Sequence, residues 1–386
     1  MAHDGSFLSR RQALTGGTLI AARLVAGAGA PAMAAGGTSA IQPVVRHIPM
    51  TGVDAAAASR LPARDLDDVW SVSPAVPATG YAAVGVTWAR SSTAQGARFF
   101  VRTRTGGLWS GWQSMRACDQ HRPTSASREA QGVVPGTDPV VVGNVDAVQV
   151  KVTATGRHRP TDLTLSVIDP GEPTAASSSV TLLASPDYPA RTGSRTPRPG
   201  IYSRAQWGAD ESMRDGFAGY GEIHAAFVHH TVNTNDYSPA DVPAILRGIY
   251  AYHTQSQGWS DVGYNFLVDR FGRIWEGRWG GIRLPVIGAH TLGYNADSFA
   301  MSAIGNFEVA EPSREMLRAY KQLLGWKLSR YGVDGDAYTT INGVVLRTIS
   351  GHRDVGSTAC PGENLYAKLP AIRARVAAAQ TRVGSS

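Results

Sequence analysis

The sequence predicts an α/β class protein: a C-terminal domain with a central mixed β-sheet flanked by helices, preceded by an all-β, sandwich-like domain. Three observations carry this expectation. Residues 60–169 hold short runs whose apolar residues alternate with period two. Residues 200–386 interleave short apolar runs with stretches of helical spacing. Between them, residues 170–199 concentrate six prolines and the run Ser177-Ser178-Ser179, a composition that buries too little apolar surface to fold and forms a spacer.

Within the first domain Val84, Val86 and Trp88 share one strand face, as do Phe99, Val101 and Thr103. Val148, Val150 and Val152 repeat the pattern, followed by Leu163, Leu165 and Val167, and no helical period intervenes. Trp109 and Trp112 fit either the edge of that core or a platform for stacking sugars. In the second domain Ala225-Ala226-Phe227-Val228 suits a buried strand. Ser238-Pro239-Ala240-Asp241 then starts a helix with Val242, Ile245, Leu246 and Ile249 on one face. Runs on either side of Phe271-Gly272 predict a hairpin. Met316, Tyr320, Leu323, Leu324 and Leu328 mark a second helix, and a third is expected from Glu363 to about Arg382. Gly335 to Gly343 reads as an inserted loop.

The first 35 residues read as an export signal. Arg10-Arg11 precedes an Ala/Gly-rich apolar stretch that ends in Ala32-Met33-Ala34, and the paired arginines are similar to those of a twin-arginine leader. Residues 36–59 then form a flexible segment, and the mature chain is expected outside the cytoplasm, secreted or on the cell wall, as a monomer. No later apolar run is long enough to span a membrane. Lys and Arg number 37 against 30 Asp and Glu, net +7, which suits an anionic wall polymer. No basic cluster is interleaved with aromatics, which disfavours nucleic acid. Two cysteines, Cys118 and Cys360, exclude a disulfide-framework protein.

Chemistry concentrates in three places: the doublet His229-His230, then His352 and Cys360. Seven residues separate the last two and include Gly356, so a loop can bring both to one point. Imidazole and thiolate together suit Zn²⁺, and three protein ligands leave a fourth vertex for water. Neighbours on a strand face opposite ways, so one member of the doublet ligates and alternation does not say which. The competing reading is a structural His352 with Cys360 bonded to Cys118.

Five blocks in order now bear on this choice: Ser203-Arg204-Ala205-Gln206-Trp207-Gly208-Ala209, Phe227-Val228-His229-His230-Thr231, Gly258-Trp259-Ser260-Asp261-Val262-Gly263-Tyr264-Asn265-Phe266, Gly288-Ala289-His290, and Gly351-His352-Arg353-Asp354-Val355 continuing to Thr358-Ala359-Cys360-Pro361-Gly362. Residues 200–376 thereby resemble the peptidoglycan recognition protein and type 2 N-acetylmuramoyl-L-alanine amidase family. The resemblance implies zinc held by His229, His352 and Cys360, with Tyr264 as the catalytic tyrosine. Thr358 stands where members carry a catalytic lysine or threonine. It also implies a cleft histidine at His290, and His230 and Trp259 join it as candidates for contacting substrate. The implied activity is zinc-dependent hydrolysis of the amide between the lactyl group of N-acetylmuramic acid and L-alanine in peptidoglycan. The alternative is a peptidoglycan-binding module without turnover. Members without turnover usually lack the cysteine ligand, and Cys360 is present here.

Overall fold

The computed structural model describes residues 41–59, 61–62, 68–117, 121–124, 129–155, 159–171 and 196–382. The expected leader, most of the spacer and Cys118 lie outside the described residues.

The first domain contains β1 (Val44–Pro49), α1 (Ala55–Ala58), β2 (Val69–Val72), β3 (Val76–Pro77), β4 (Ala83–Thr87), β5 (Ala97–Thr105), β6 (Leu108–Trp109), β7 (Gln113–Met115), β8 (Val140–Val141), β9 (Ala147–Ala154) and β10 (Thr164–Asp169). One sheet has the order β1-β10-β4-β8 and the other β2-β9-β5-β6, with β3 on β9 and β7 on β5; every pairing is antiparallel. The alternation explains the sandwich. Val84, Val86, Trp88, Phe99, Val101, Val148, Val150, Val152, Leu163, Leu165 and Val167 all enter one core between the sheets. Trp109 and Trp112 do not join it. The Arg102 guanidinium lies over both rings, 4.5 and 4.8 Å from their centroids, so cations cover the faces that would stack a sugar.

The second domain contains β11 (Ile201–Tyr202), α2 (Arg204–Trp207), β12 (Ala225–His230), α3 (Val242–Ala251), β13 (Phe266–Val268), β14 (Ile274–Glu276), β15 (Ser298–Ala303), α4 (Arg314–Arg330), β16 (Tyr338–Ile341), β17 (Val344–Arg347), β18 (Ile349–Gly351), α5 (Glu363–Tyr366) and α6 (Leu369–Arg382). Its sheet has the order β11-β14-β13-β15-β12-β18 and is mixed. β13 and β14 form the antiparallel hairpin across Phe271-Gly272, and the remaining pairs are parallel. Helices cover both faces, as parallel strands require. α4 and α6 pack Met316, Tyr320, Leu323, Leu324, Leu328, Ile372 and Val376 against one face. α3 packs Val242, Ile245, Leu246 and Ile249 against the other.

Three expectations need correction. Within the segment 36–59, expected to be flexible, Val44–Pro49 pairs along β10 and Ala55–Ala58 is helical. The third helix is broken into α5 and α6, because Pro370 has no N–H to donate to the Tyr366 carbonyl four residues back and instead sits at the second position of a new helix. The inserted loop is instead the hairpin β16–β17. Asn342 and Gly343 take φ of 51° and 78°, the two left-handed positions of a tight hairpin turn, a signal present in the Asn-Gly pair itself.

The same core that holds α3 includes Ala83, Val141 and Ile168 from the outer side of the first domain's β1-β10-β4-β8 sheet. The chain continues beyond α3 as a π-helical turn, Tyr252–Ser256. The Tyr252 hydroxyl donates to the Thr137 carbonyl at 3.0 Å, and its ring lies on Gly85, where a Cβ would come within 2.1 Å of it. Gly85 therefore sets how closely the two domains approach.

Candidate metal centre at the domain junction

The catalytic candidates stand at one edge of the mixed sheet because β12 and β18 run parallel with Val228 opposite Gly351. His229 and His352 follow those paired residues directly, so register alone places them side by side; their ring centroids are 4.8 Å apart. Cys360 reaches the same point from a loop closed by the Arg353 N–H on the Cys360 carbonyl, at 2.9 Å. Its sulfur lies 3.6 Å from His229 Nδ1 and accepts the His230 N–H at 3.4 Å. It carries a free thiol, which removes the proposed bridge to Cys118.

The donor set fits a zinc ion. Zn–N near 2.05 Å and Zn–S near 2.3 Å place tetrahedral N and S ligands about 3.6 Å apart, the separation found between His229 and Cys360. His352 is fully buried, yet neither ring nitrogen has a hydrogen-bond partner. Buried polar atoms without partners are rare, and coordination would satisfy one of them. Burial, together with the neighbouring imidazoles, holds His229 and His352 well below the usual histidine range and so neutral, the form that ligates. Burial also pushes the Cys360 thiol up to about 12.

The remaining candidates separate into two groups. Tyr264 belongs at the centre: its ring lies 5.5 Å from that of His229. His290 is also there, 5.3 Å from His229, and Thr291 bridges the two rings through contacts of 3.0 and 3.3 Å. Thr358 is half-buried on the rim and accepts the Cys360 N–H at 3.2 Å. His230 turns elsewhere, accepting the Phe307 N–H at 3.2 Å, and burial lowers it to about 3. Trp259 is buried and stacks on His253 at 4.3 Å, while also lining a cavity shared with Trp88, His121 and Gln257.

Sequence reasoning missed His121. It comes from the first domain, yet His121, His229, His352 and Cys360 offer one ligand atom each within 4.8 Å of one another, and all four residues are buried. No local motif marks His121. Its place depends on docking two domains, and its separation of 108 residues from His229 has no sequence signature.

Comparison with known proteins finds relatives of the second domain. Residues 219–363 match the family described as N-acetylmuramoyl-L-alanine amidase. Peptidoglycan-recognition protein SC2 of Drosophila simulans is 34% identical over 171 residues, which cover 44% of this chain and 84% of that protein. The chain belongs to the peptidoglycan recognition protein and type 2 amidase family. Another relative is the human N-acetylmuramoyl-L-alanine amidase, 32% identical over 178 residues that span 44% of this family member and 27% of the human protein. The solved structure of Drosophila PGRP-LB aligns at 29% identity with a TM-score of 0.38, covering 44% of this chain and 92% of that one. Residues 38–180 match a family described as Rv3811 N-terminal galactose-binding domain-like. Membership gives this protein a peptidoglycan-related role, as amidase or recognition protein. No helix among the described residues is long and apolar enough to cross a membrane.

Proposed function

We propose that this protein is a zinc-dependent N-acetylmuramoyl-L-alanine amidase acting on peptidoglycan outside the cytoplasm. The observation that carries the proposal is the convergence of His229, His352 and Cys360, whose ligand atoms lie within 4.8 Å of one another, with His352 buried and its ring nitrogens otherwise unengaged. Zinc, when held by these three side chains, would supply Lewis-acid polarisation of the scissile carbonyl and a water of lowered pKa. Tyr264, against His229, is assigned to donate its hydroxyl proton in a hydrogen bond to the carbonyl oxygen as negative charge develops there. Thr358, fixed by the Cys360 N–H, orients the attacking water from the rim. His290 is assigned to bind substrate through its Nε2, which is buried and has no hydrogen-bond partner. Trp259 lines the adjoining cavity, and His230 contributes through its backbone N–H on the Cys360 sulfur. Export rests on the Arg10-Arg11 leader and is tested by fractionating cells that express the full chain.

Digestion of purified peptidoglycan with mass analysis of the products tests the activity. New L-alanine amino termini should appear, and chelator should abolish them; muropeptide binding without cleavage would leave the recognition role alone. Tyr264→Phe is expected to lower kcat by about 10²-fold with little change in KM and with zinc retained, since it removes one donor to the developing oxyanion.

Zinc uptake has a pH signature of its own. In the metal-free protein Cys360 keeps its proton at neutral pH, whereas His229 and His352 are already neutral. Loading should therefore release about one proton per ion, and apparent affinity should rise about tenfold per pH unit through the neutral range. Calorimetry in two buffers of different ionisation enthalpy measures the proton. Cys360→Ser should release none.

A further inference from the structure

We propose that His121 is a fourth protein ligand to the zinc, and that Arg116, His121, Arg122 and Glu129 together act as a strap that holds the amidase closed. The inference rests on the amidase reading above and adds a state that three ligands alone do not describe. Structural zinc sites have four protein ligands, whereas catalytic sites keep one vertex for water. With His121 in place the donor set is three imidazoles and a thiolate, and no vertex remains.

The geometry supports ligation over a chance contact. His121 Nε2 is 3.2 Å from His229 Nδ1, close to the roughly 3.3 Å edge between two nitrogens on a tetrahedral zinc. Its other nitrogen, Nδ1, meets Asp138 Oδ1 at 2.9 Å. A carboxylate on the far nitrogen fixes the tautomer and aims the lone pair of the near one at the metal, the arrangement common among ligating histidines. His121 is 4% exposed, so the ring is inside the centre and does not hover over its mouth.

The strap is tied to the second domain at separate points. The Arg116 guanidinium donates to the Thr358 hydroxyl, engaging the residue assigned to orient water. Asn295 Nδ2 donates to the Arg122 carbonyl at 2.9 Å. Glu129 makes a buried ion pair with Arg278 at 2.5 Å and accepts the Ser260 N–H at 3.0 Å. Catalysis requires the strap to lift: the bond between zinc and His121 Nε2 breaks, water takes the vertex, and no electron changes owner. Until then the apparent affinity for substrate is reduced by the fraction of molecules that are open.

Zinc and cobalt(II) forms of the full chain test this without relying on turnover. In the parent, zinc-edge X-ray absorption should show three nitrogens and one sulfur, with no water oxygen, and thiocyanate should leave the cobalt spectrum unchanged. In His121→Gln one nitrogen should be replaced by oxygen, thiocyanate should perturb the cobalt bands, and muropeptide cleavage should rise about tenfold or more as the closed population is lost. Glu129→Ala, which loosens the strap without touching a donor, should move the parent toward that behaviour. A parent centre that already holds a water oxygen and responds to thiocyanate overturns the strap while leaving the amidase reading intact. A parent that binds zinc with all four residues, yet whose His121→Gln and Glu129→Ala forms cleave nothing, supports the ligand and overturns the amidase. A parent that binds no zinc overturns both. The parent's own spectrum decides the ligand question even if His121→Gln fails to fold.

Discussion

Cys360→Ser should leave a folded protein that releases alanyl amino termini from peptidoglycan at least on the order of 10²-fold more slowly than the parent, and that loses zinc to weak chelators. The reasoning is local. Cys360 is buried, its sulfur lies 3.6 Å from His229 Nδ1, and the His230 N–H already points at it. A hydroxyl at that position is a poor thiolate substitute: it stays protonated at neutral pH, binds zinc weakly and reaches less far. Loss of an outer partner to a metal ligand costs about 10–100-fold in affinity or activity, and loss of a ligand itself exceeds that. Because serine still accepts the His230 N–H, the melting temperature of the metal-free variant should stay close to that of the metal-free parent. Unchanged cleavage with unchanged zinc content would remove Cys360 from the centre.

The second large effect concerns the scaffold. Arg204→Ala is expected to cost about 3–5 kcal/mol of stability, measured by urea unfolding, because it strips a buried ion pair of one partner. Arg204 and Asp261 meet at 3.0 Å with side chains 5% and 4% exposed, and Arg204 also reaches Glu211 at 2.7 Å and the Gly277 carbonyl. Asp261 in turn accepts the Val262 and Trp279 N–H groups at 2.7 and 2.8 Å, which fixes the loop leading into Tyr264. The pH dependence has a definite sign. Burial already raises the Asp261 carboxyl above its ordinary 3.8 while Arg204 opposes it, so removing the arginine raises it further. The folded variant then holds a proton that the unfolded chain has lost, and its stability falls as pH rises through that window. The deficit against the parent should therefore be small near pH 4 and grow toward neutrality. Asp261→Asn added to Arg204→Ala should recover part of the loss.

The fold was legible wherever a local period reports a buried face. Val84-Val86 and Val148-Val150-Val152 announce strands because alternation and pleat share period two, and Val242, Ile245, Leu246 and Ile249 announce a helix for the matching reason. His229, His352 and Cys360 were legible through motif order, and β12 beside β18 supplies the physical cause of their meeting. What escaped has a common character. Asn342-Gly343 was read as loop although the pair itself specifies a tight turn. Trp109 and Trp112 could not be assigned without knowing that Arg102 of the neighbouring strand lies over both rings. His121 lies in irregular chain and Glu129 in a single 3-10 turn, neither long enough to show a period, and their partners His229 and Arg278 belong to another domain.

The seating of α3 between the two sheets carries a consequence for any attempt to separate the two halves. One side of the helix rests on the mixed sheet, and the other meets Ala83, Val141 and Ile168 across the junction. A chimera that joined the amidase half to an unrelated partner would leave that oily flank facing solvent and invite clumping. Within this chain the two halves are therefore expected to fold and be expressed as one unit. If the proposed strap lifts, the contacts of α3 with Ala83, Val141 and Ile168 still hold the halves together.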